Sequence, residues 1–437
     1  MRIPNWMRFS KIGIREYIAA FCLTVFLAVM LLAVCAFLPQ SMIQDHVAES
    51  IPLVTRDVEN RYLFDNSIAS KLDVSTDTMM LRISISTNDS YLGSILTNPV
   101  YEYEGVSGWE MDDEYLAKVA YGSTADDVWF YARYWMGFRV LLRLALTFFT
   151  YAQIKRYLSF LFLSLFAAVL CSVSKHTNSK IAFFFALSII LMRPHVMATS
   201  MQLTCCFFIA FAAMLLIPWL QRHDKWEGLF FMEVGIITMY FDFYTVPLVT
   251  LGFPLLYLCI LKQEGCAPVS LKRLLRNVAV WFAGYGFMWI AKLTLTSLLT
   301  SVDAFSQGLD SFFSRVGIEK DAKLEKYYSV EAAFEGVAEA VFSDGVGAAV
   351  YLLCAGVILA VVLCRVMQKR VPLQNLRTAA PYLLFAAMPL IWFVITKQPV
   401  AIHYYFQYRT IALTHWAAGV FLYYLLRADV KTITKAT

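Results

Sequence analysis

Two carboxylates four residues apart, in Leu72-Asp73-Val74-Ser75-Thr76-Asp77, stand at the head of a short apolar run, Thr78-Met79-Met80-Leu81. On a helix that spacing puts both acids on one face. A positioned, ionised carboxylate is what a general base needs to take a proton from an attacking hydroxyl. An acid in this place also serves as a helix N-cap, accepting from exposed backbone N–H groups. The pair could ligate a divalent ion, although two carboxylates make a thin ligand set. Elsewhere the chain carries Arg133, Arg139, Arg143, Arg193, Lys292 and Arg409, with Asp242, His195 and His403. Arginine offers a planar bidentate fork and lysine a point charge, and both suit phosphate or pyrophosphate. Bland roles compete with that one. Arg139, Arg143, Lys155 and Arg156 could anchor an interfacial helix, and Arg409, after His403-Tyr404-Tyr405-Phe406-Gln407-Tyr408, could snorkel at a span end. Asp242 is either a helix-end cap or a substrate ligand, and the histidine separation gives no metal spacing.

The elements that must position these residues are set by solvent. Of 437 residues 59% are hydrophobic and 16% charged, against about a quarter charged in a soluble domain; the chain has too little polar surface for water. Trp and Tyr cluster near the ends of apolar runs, as rings at headgroup level do. The net charge of +5 is dispersed in short clusters between apolar runs, which argues for topology signals and against a nucleic-acid patch. Nine cysteines, at 22, 35, 171, 205, 206, 259, 266, 354 and 364, lie in apolar runs or short loops and imply packing, with neither a disulfide framework nor a metal site.

Arg2, Arg8, Lys11 and Arg15 precede an apolar run over 17–38, long enough to cross about 30 Å of hydrocarbon and too long for the core of a signal peptide. Residues 39–134 are polar, with the acidic cluster Asp112, Asp113 and Glu114, and the positive-inside rule sends them outside. A basic amphipathic stretch over 133–156 is expected to lie in the interface plane. Further apolar runs fall at about 157–174, 180–193, 200–220, 229–243, 245–261, 278–299, 347–364, 379–396 and 410–426. The expectation is an all-α polytopic membrane protein, one membrane domain of about ten spans. Alternation from a cytoplasmic N-terminus puts every short basic loop (175–180, 222–225, 262–276, 365–377 and 427–435) inside, and a second outer loop at 301–345. The ionisable residues named above then face an outer cavity. No internal repeat is visible of the kind found in inverted-repeat transporters.

This pattern resembles the GT-C superfamily of integral membrane glycosyltransferases: one span, a large outer loop holding an acid, an amphipathic helix, then tightly paired spans. More narrowly it is similar to bacterial membrane proteins encoded among cell-surface polysaccharide genes. The likeness rests on the 72–77 stretch, Tyr131-Ala132-Arg133-Tyr134-Trp135-Met136-Gly137, Tyr240-Phe241-Asp242-Phe243-Tyr244-Thr245-Val246-Pro247, Gly284-Tyr285-Gly286 to Lys292, and 403–409. Met136 departs from the group, which carries a histidine there, and the departure puts an altered activity in play. The resemblance implies transfer of a sugar from a polyprenyl-phosphate donor to a cell-envelope glycan or lipid acceptor on the outer face of a bacterial plasma membrane, with both termini cytoplasmic and no cofactor. It makes the acid of the first outer loop the catalytic base, Asp77 first and Asp73 second. Arg133, Lys292 and Arg409 would hold the donor phosphate, Asp242 and His403 would complete the substrate site, and the lipid tail would lie between spans. The alternative is a transporter or flippase for a lipid-linked saccharide, which calls for ionisable residues deep in several spans; only Lys292 and His415 interrupt the later runs. A structural partner in an envelope complex would leave the outer cavity without use.

Overall fold

The computed structural model describes residues 12–63, 67–88, 90–106, 108–265, 268–318, 322–342, 345–367 and 373–427. Arg2, Arg8, Lys11, Cys266 and the chain from 428 onward lie outside them. The architecture is nearly all-α, and its contacts divide into two units: 1–65, 71–166 and 195–314 in the first; 66–70, 167–194 and 315–437 in the second. Among the described residues five helical stretches are long and apolar enough to cross a membrane: Ile14–Ala36, Tyr151–His176, Met201–Leu220, Leu271–Leu299 and Leu373–Ile395.

In the first unit α1 (Ile14–Ala36) leads into a folded polar segment: α2 (Gln40–Ala48), α3 (Ile51–Glu59), α4 (Val74–Ile85), α5 (Tyr91–Leu96) and α6 (Asp112–Ala120). A hairpin of β1 (Pro99–Glu102) and β2 (Asp127–Phe130) pairs Pro99 with Phe130 and Glu102 with Asp127. Then come α7 (Phe138–Leu146), α8 (Tyr151–His176), α9 (Ser179–Ile190), α10 (Pro194–Ala198), α11 (Met201–Leu220), α12 (Glu227–Phe241), α13 (Leu248–Glu264), α14 (Leu271–Leu299) and α15 (Ala304–Val316), of which α9 and the part of α8 from Ala167 onward belong to the second unit. The basic stretch 133–156 is thus not one helix: it breaks between Leu146 and Tyr151, and Arg139 and Arg143 are buried rather than set among headgroups.

Apolar residues occupy nearly all sides of α13, and it is buried from Leu248 to Leu258, as a helix apolar all round must be. Against α14 the helix α12 packs backbone to backbone. A Cβ on Gly235 would stand 2.2 Å from the Trp281 carbonyl oxygen, and one on Gly284 2.2 Å from that of Met232. In lipid no hydrophobic force drives helices together, so close approach through small residues supplies the dispersion contact.

One end of this unit gathers charge. Glu227, fully buried at the start of α12, accepts from Arg273 through both carboxylate oxygens, from Arg276 Nη2 at 2.9 Å and from Asn277 Nδ2 at 2.6 Å. Lys262 Nζ lies 2.6 Å from Asp224 Oδ1 and donates to the Gln221 carbonyl at 2.9 Å. Two of the short basic stretches, 222–225 and 262–276, therefore meet at the same end.

The second unit contains α9, α16 (Val330–Phe342), α17 (Gly345–Met367), α18 (Leu373–Ala379), α19 (Tyr382–Ile395), α20 (Lys397–Ile402), α21 (Tyr404–Gln407) and α22 (Ala412–Leu426). Trp416 of α22 meets Phe185 of α9 edge to face at 5.0 Å, and its Nε1 donates to the Ile181 carbonyl at 3.3 Å.

Candidate functional site

Asp73 and Asp77 take different jobs. Asp73 is the N-cap of α4, accepting from Thr76 N at 3.4 Å; the cap expected of Asp77 on its own helix belongs to Asp73. Asp77, one turn in and 2% exposed, caps another helix. Its Oδ2 accepts from Tyr151 Oη at 2.7 Å and Met201 N at 3.2 Å, and its Oδ1 from Ser200 Oγ and Gln202 N at 3.4 Å each. Met201 and Gln202 open α11, so the carboxylate sits on the orphan N–H groups and positive dipole end of that helix. Burial raises the Asp77 carboxyl from 3.8 to about 6, opposed by the Lys155 charge and the Tyr151 hydrogen bond. Lys155, one turn past Tyr151 on α8, lies 2.8 Å from Asp57 Oδ2. This gives a buried acid poised near neutrality, the range in which a general base works best.

Three buried cations in this unit are stationed at helix C-termini. Arg143 donates to the Cys35 carbonyl at the end of α1 (3.1 Å), to Gln40 Oε1 (3.0 Å) and to the Ser84 carbonyl at the end of α4. Arg139 donates to the Ser94 carbonyl of α5 (2.9 Å) and to Asn98 Oδ1 (2.8 Å). Lys292, fully buried, donates to the Leu96 carbonyl that ends α5. Orphan carbonyls and the negative dipole end thus serve where carboxylates would otherwise be needed. Desolvation lowers Arg139 to about 10, which leaves it charged at neutral pH.

Asp242 follows α12 and accepts from Tyr244 N at 2.9 Å and Thr245 N at 3.0 Å, holding Tyr244 at φ +80° before α13. Its carboxylate thus braces the turn that joins α12 to α13. Arg133 lies with its guanidinium 4.1 Å from the Tyr131 ring centre. Both His403 and Arg409 are in the second unit. His403 stacks on Phe406 at 5.2 Å; fully buried Arg409 donates to the Tyr405 carbonyl at 2.8 Å and to that of Ala69 at 3.1 Å. Among the described residues no group of three or more His, Cys, Asp or Glu side chains is placed to hold a metal ion.

A cavity of about 430 Å³ runs between α11 and α12, walled by Cys205, Phe208, Leu216, Phe230 and Phe241, with Leu141 of α7 also in its lining. Its one carboxylate, Glu233, accepts from Thr24 Oγ1 of α1 at 2.9 Å through Oε2, while its Oε1 is buried without a partner. Cys205 is one helical turn beyond Met201, whose N–H meets Asp77, so the cavity begins about 6 Å along α11 from the acid. Glu233 escaped the sequence reading although it had a signal, a lone acid inside Phe230-Phe231-Met232-Glu233-Val234-Gly235. Tyr151, Ser200 and Gln202 gave none, because only the approach of three distant segments makes them partners of Asp77. Comparison with family models, with curated proteins and with solved structures finds no match to this chain.

Proposed function

We propose that the chain is a membrane glycosyltransferase of about ten spans that moves a sugar from a polyprenyl-phosphate donor to an envelope glycan or lipid acceptor. Transfer takes place on the outer face, where the polar segment 39–134 lies. What carries the reading is one adjacency: a buried acid with a carboxyl near 6, one helical turn from the end of an apolar cavity along the membrane-length helix α11. Such a cavity suits a lipid chain, with its reactive head near the acid. The meeting of the 222–225 and 262–276 stretches at the opposite end supports the alternation from which the outer placement follows.

In this reading Asp77 takes the proton from the acceptor hydroxyl while that oxygen attacks the anomeric carbon, and the bond from that carbon to the phosphate oxygen breaks, releasing polyprenyl phosphate. The four donors on Asp77 fill the roughly four lone-pair sites of a carboxylate. The incoming hydroxyl therefore displaces Ser200 Oγ, a side-chain contact already at 3.4 Å. Asp73, committed to its own helix, positions α4. The same filled lone pairs favour a second reading, in which Asp77 only clamps α4 to α11. Asp77→Asn decides: loss of the transferred sugar from surface glycan, with the sugar-loaded polyprenyl phosphate accumulating at normal protein level, is expected. Unchanged glycan would select the clamp.

A further inference from the structure

Around Arg133 nearly every backbone group is tied down, and the guanidinium itself is not. Asn98, held at φ +49°, donates through Nδ2 to the Tyr131 carbonyl at 3.1 Å and the Tyr134 carbonyl at 2.9 Å, and its own carbonyl accepts from Tyr131 N at 3.1 Å. Trp289 Nε1 donates to the Arg133 carbonyl at 3.0 Å, and Ala132 N donates to Gln307 Oε1 at 3.3 Å. On this braced turn the guanidinium lies over Tyr131 at 4.1 Å and beside Tyr134 at 5.6 Å. No carboxylate among the described residues pairs with it, and its Nε is buried without a partner. The aromatic row continues outward: Tyr131 meets Trp129 edge to face at 5.3 Å, and Trp129 is 37% exposed at the end of β2.

A cation flattened on an aromatic face keeps only its edge for hydrogen bonding, and that edge matches a planar carboxylate through two parallel N–H bonds. Trp129, exposed at the outer end of the row, offers an apolar platform for the C–H face of a pyranose. Leaving such a cation without an internal partner costs stability, and bracing its backbone reduces the ordering cost of binding a ligand. We infer that Arg133, with Tyr131 and Trp129, forms a subsite for a carboxylate-bearing sugar of the acceptor glycan. This deepens the transferase reading and rests on it for the word acceptor.

The test uses the full chain in phosphatidylcholine nanodiscs, titrated with a tetrasaccharide alternating glucuronate and N-acetylglucosamine, and with the same tetrasaccharide after reduction of its carboxylates to alcohols. The acidic form is expected to bind about ten- to a hundredfold tighter, the range of a charge-assisted hydrogen-bond pair. Arg133→Ala should erase that preference and Arg133→Lys should keep only part of it, because the ammonium lacks the fork. Equal affinity for the two sugars, no binding of either, or a preference undiminished in both variants overturns the assignment. A preference that disappears when phosphatidylglycerol is added to the nanodisc gives the guanidinium to lipid headgroups and also overturns it. Asp77→Asn separates the two claims: acid preference with transfer retained sinks the catalytic reading alone, and transfer lost without acid preference sinks this one alone.

Discussion

Replacing Asp77 by asparagine keeps the shape and removes the charge, and its consequences can be worked out from the four donors and the raised carboxyl. Between the ordinary 3.8 and about 6, the folded chain holds a proton that the unfolded chain has released. The stability this contributes is fully present below 3.8 and is lost as pH rises through about 6. At about 1.4 kcal/mol per pH unit the loss is about 3 kcal/mol. Asparagine does not titrate, so the stability of the native chain relative to Asp77→Asn should fall by about 3 kcal/mol between pH 3.5 and pH 7. Unfolding of the solubilised protein followed by tryptophan fluorescence at both pH values reads that double difference, cancelling the other carboxylates. Sugar transfer should fall by about 10² to 10⁴ in the variant, and in the native protein it should rise with pH through about 6 as the base ionises. Parallel pH curves for the two proteins would refute the buried-acid argument; full transfer activity in the variant would refute the base.

Gly284→Ala should push α12 from α14, because its Cβ would meet backbone 2.2 Å away, whereas Gly286→Ala meets nothing within 4 Å and should gain helix propensity of about 1 kcal/mol; thermal unfolding of the two variants should move in opposite directions. Glu227→Gln strips the charge partner from Arg273 and Arg276, which are 27% and 23% exposed, and should cost about 2 to 3 kcal/mol, read in the same assay. Asn98→Ala should cost about 2 to 4 kcal/mol by losing its side-chain bonds and a residue type that tolerates positive φ, with reduced Trp129 order by fluorescence anisotropy. A cysteine at Tyr121, 70% exposed, should react with an impermeant thiol reagent from outside intact cells; labelling only after lysis would reverse the orientation.

Fold class was legible because lipid as solvent writes itself into composition. Backbone groups without water must pair within a helix, so runs such as 17–38 and 200–220 surface as α1 and α11 within a few residues. Periodicity carried less well over 133–156, where the stretch breaks before Tyr151 and its arginines turn inward to helix ends. A hydrophobic pattern tells which side of a helix is apolar; it is silent on the carbonyls that a neighbouring chain end will offer.

Sequence alone determined that the chain belongs in a membrane, that its middle is helical, and that acids and cations accumulate in the segment after the first run and at the ends of later ones. Tertiary structure decided what each of them touches. Asp73 and Asp77 look equivalent four residues apart, yet one caps α4 and the other reaches α11, because the second lies one turn further along a helix packed near Ser200. Burial of a charge is settled by partners more than 70 residues away, at Tyr151 and Met201 for Asp77 and at Leu96 for Lys292. Desolvation and dipole energies depend on distance in space, and local sequence fixes that distance only within a turn or two of helix.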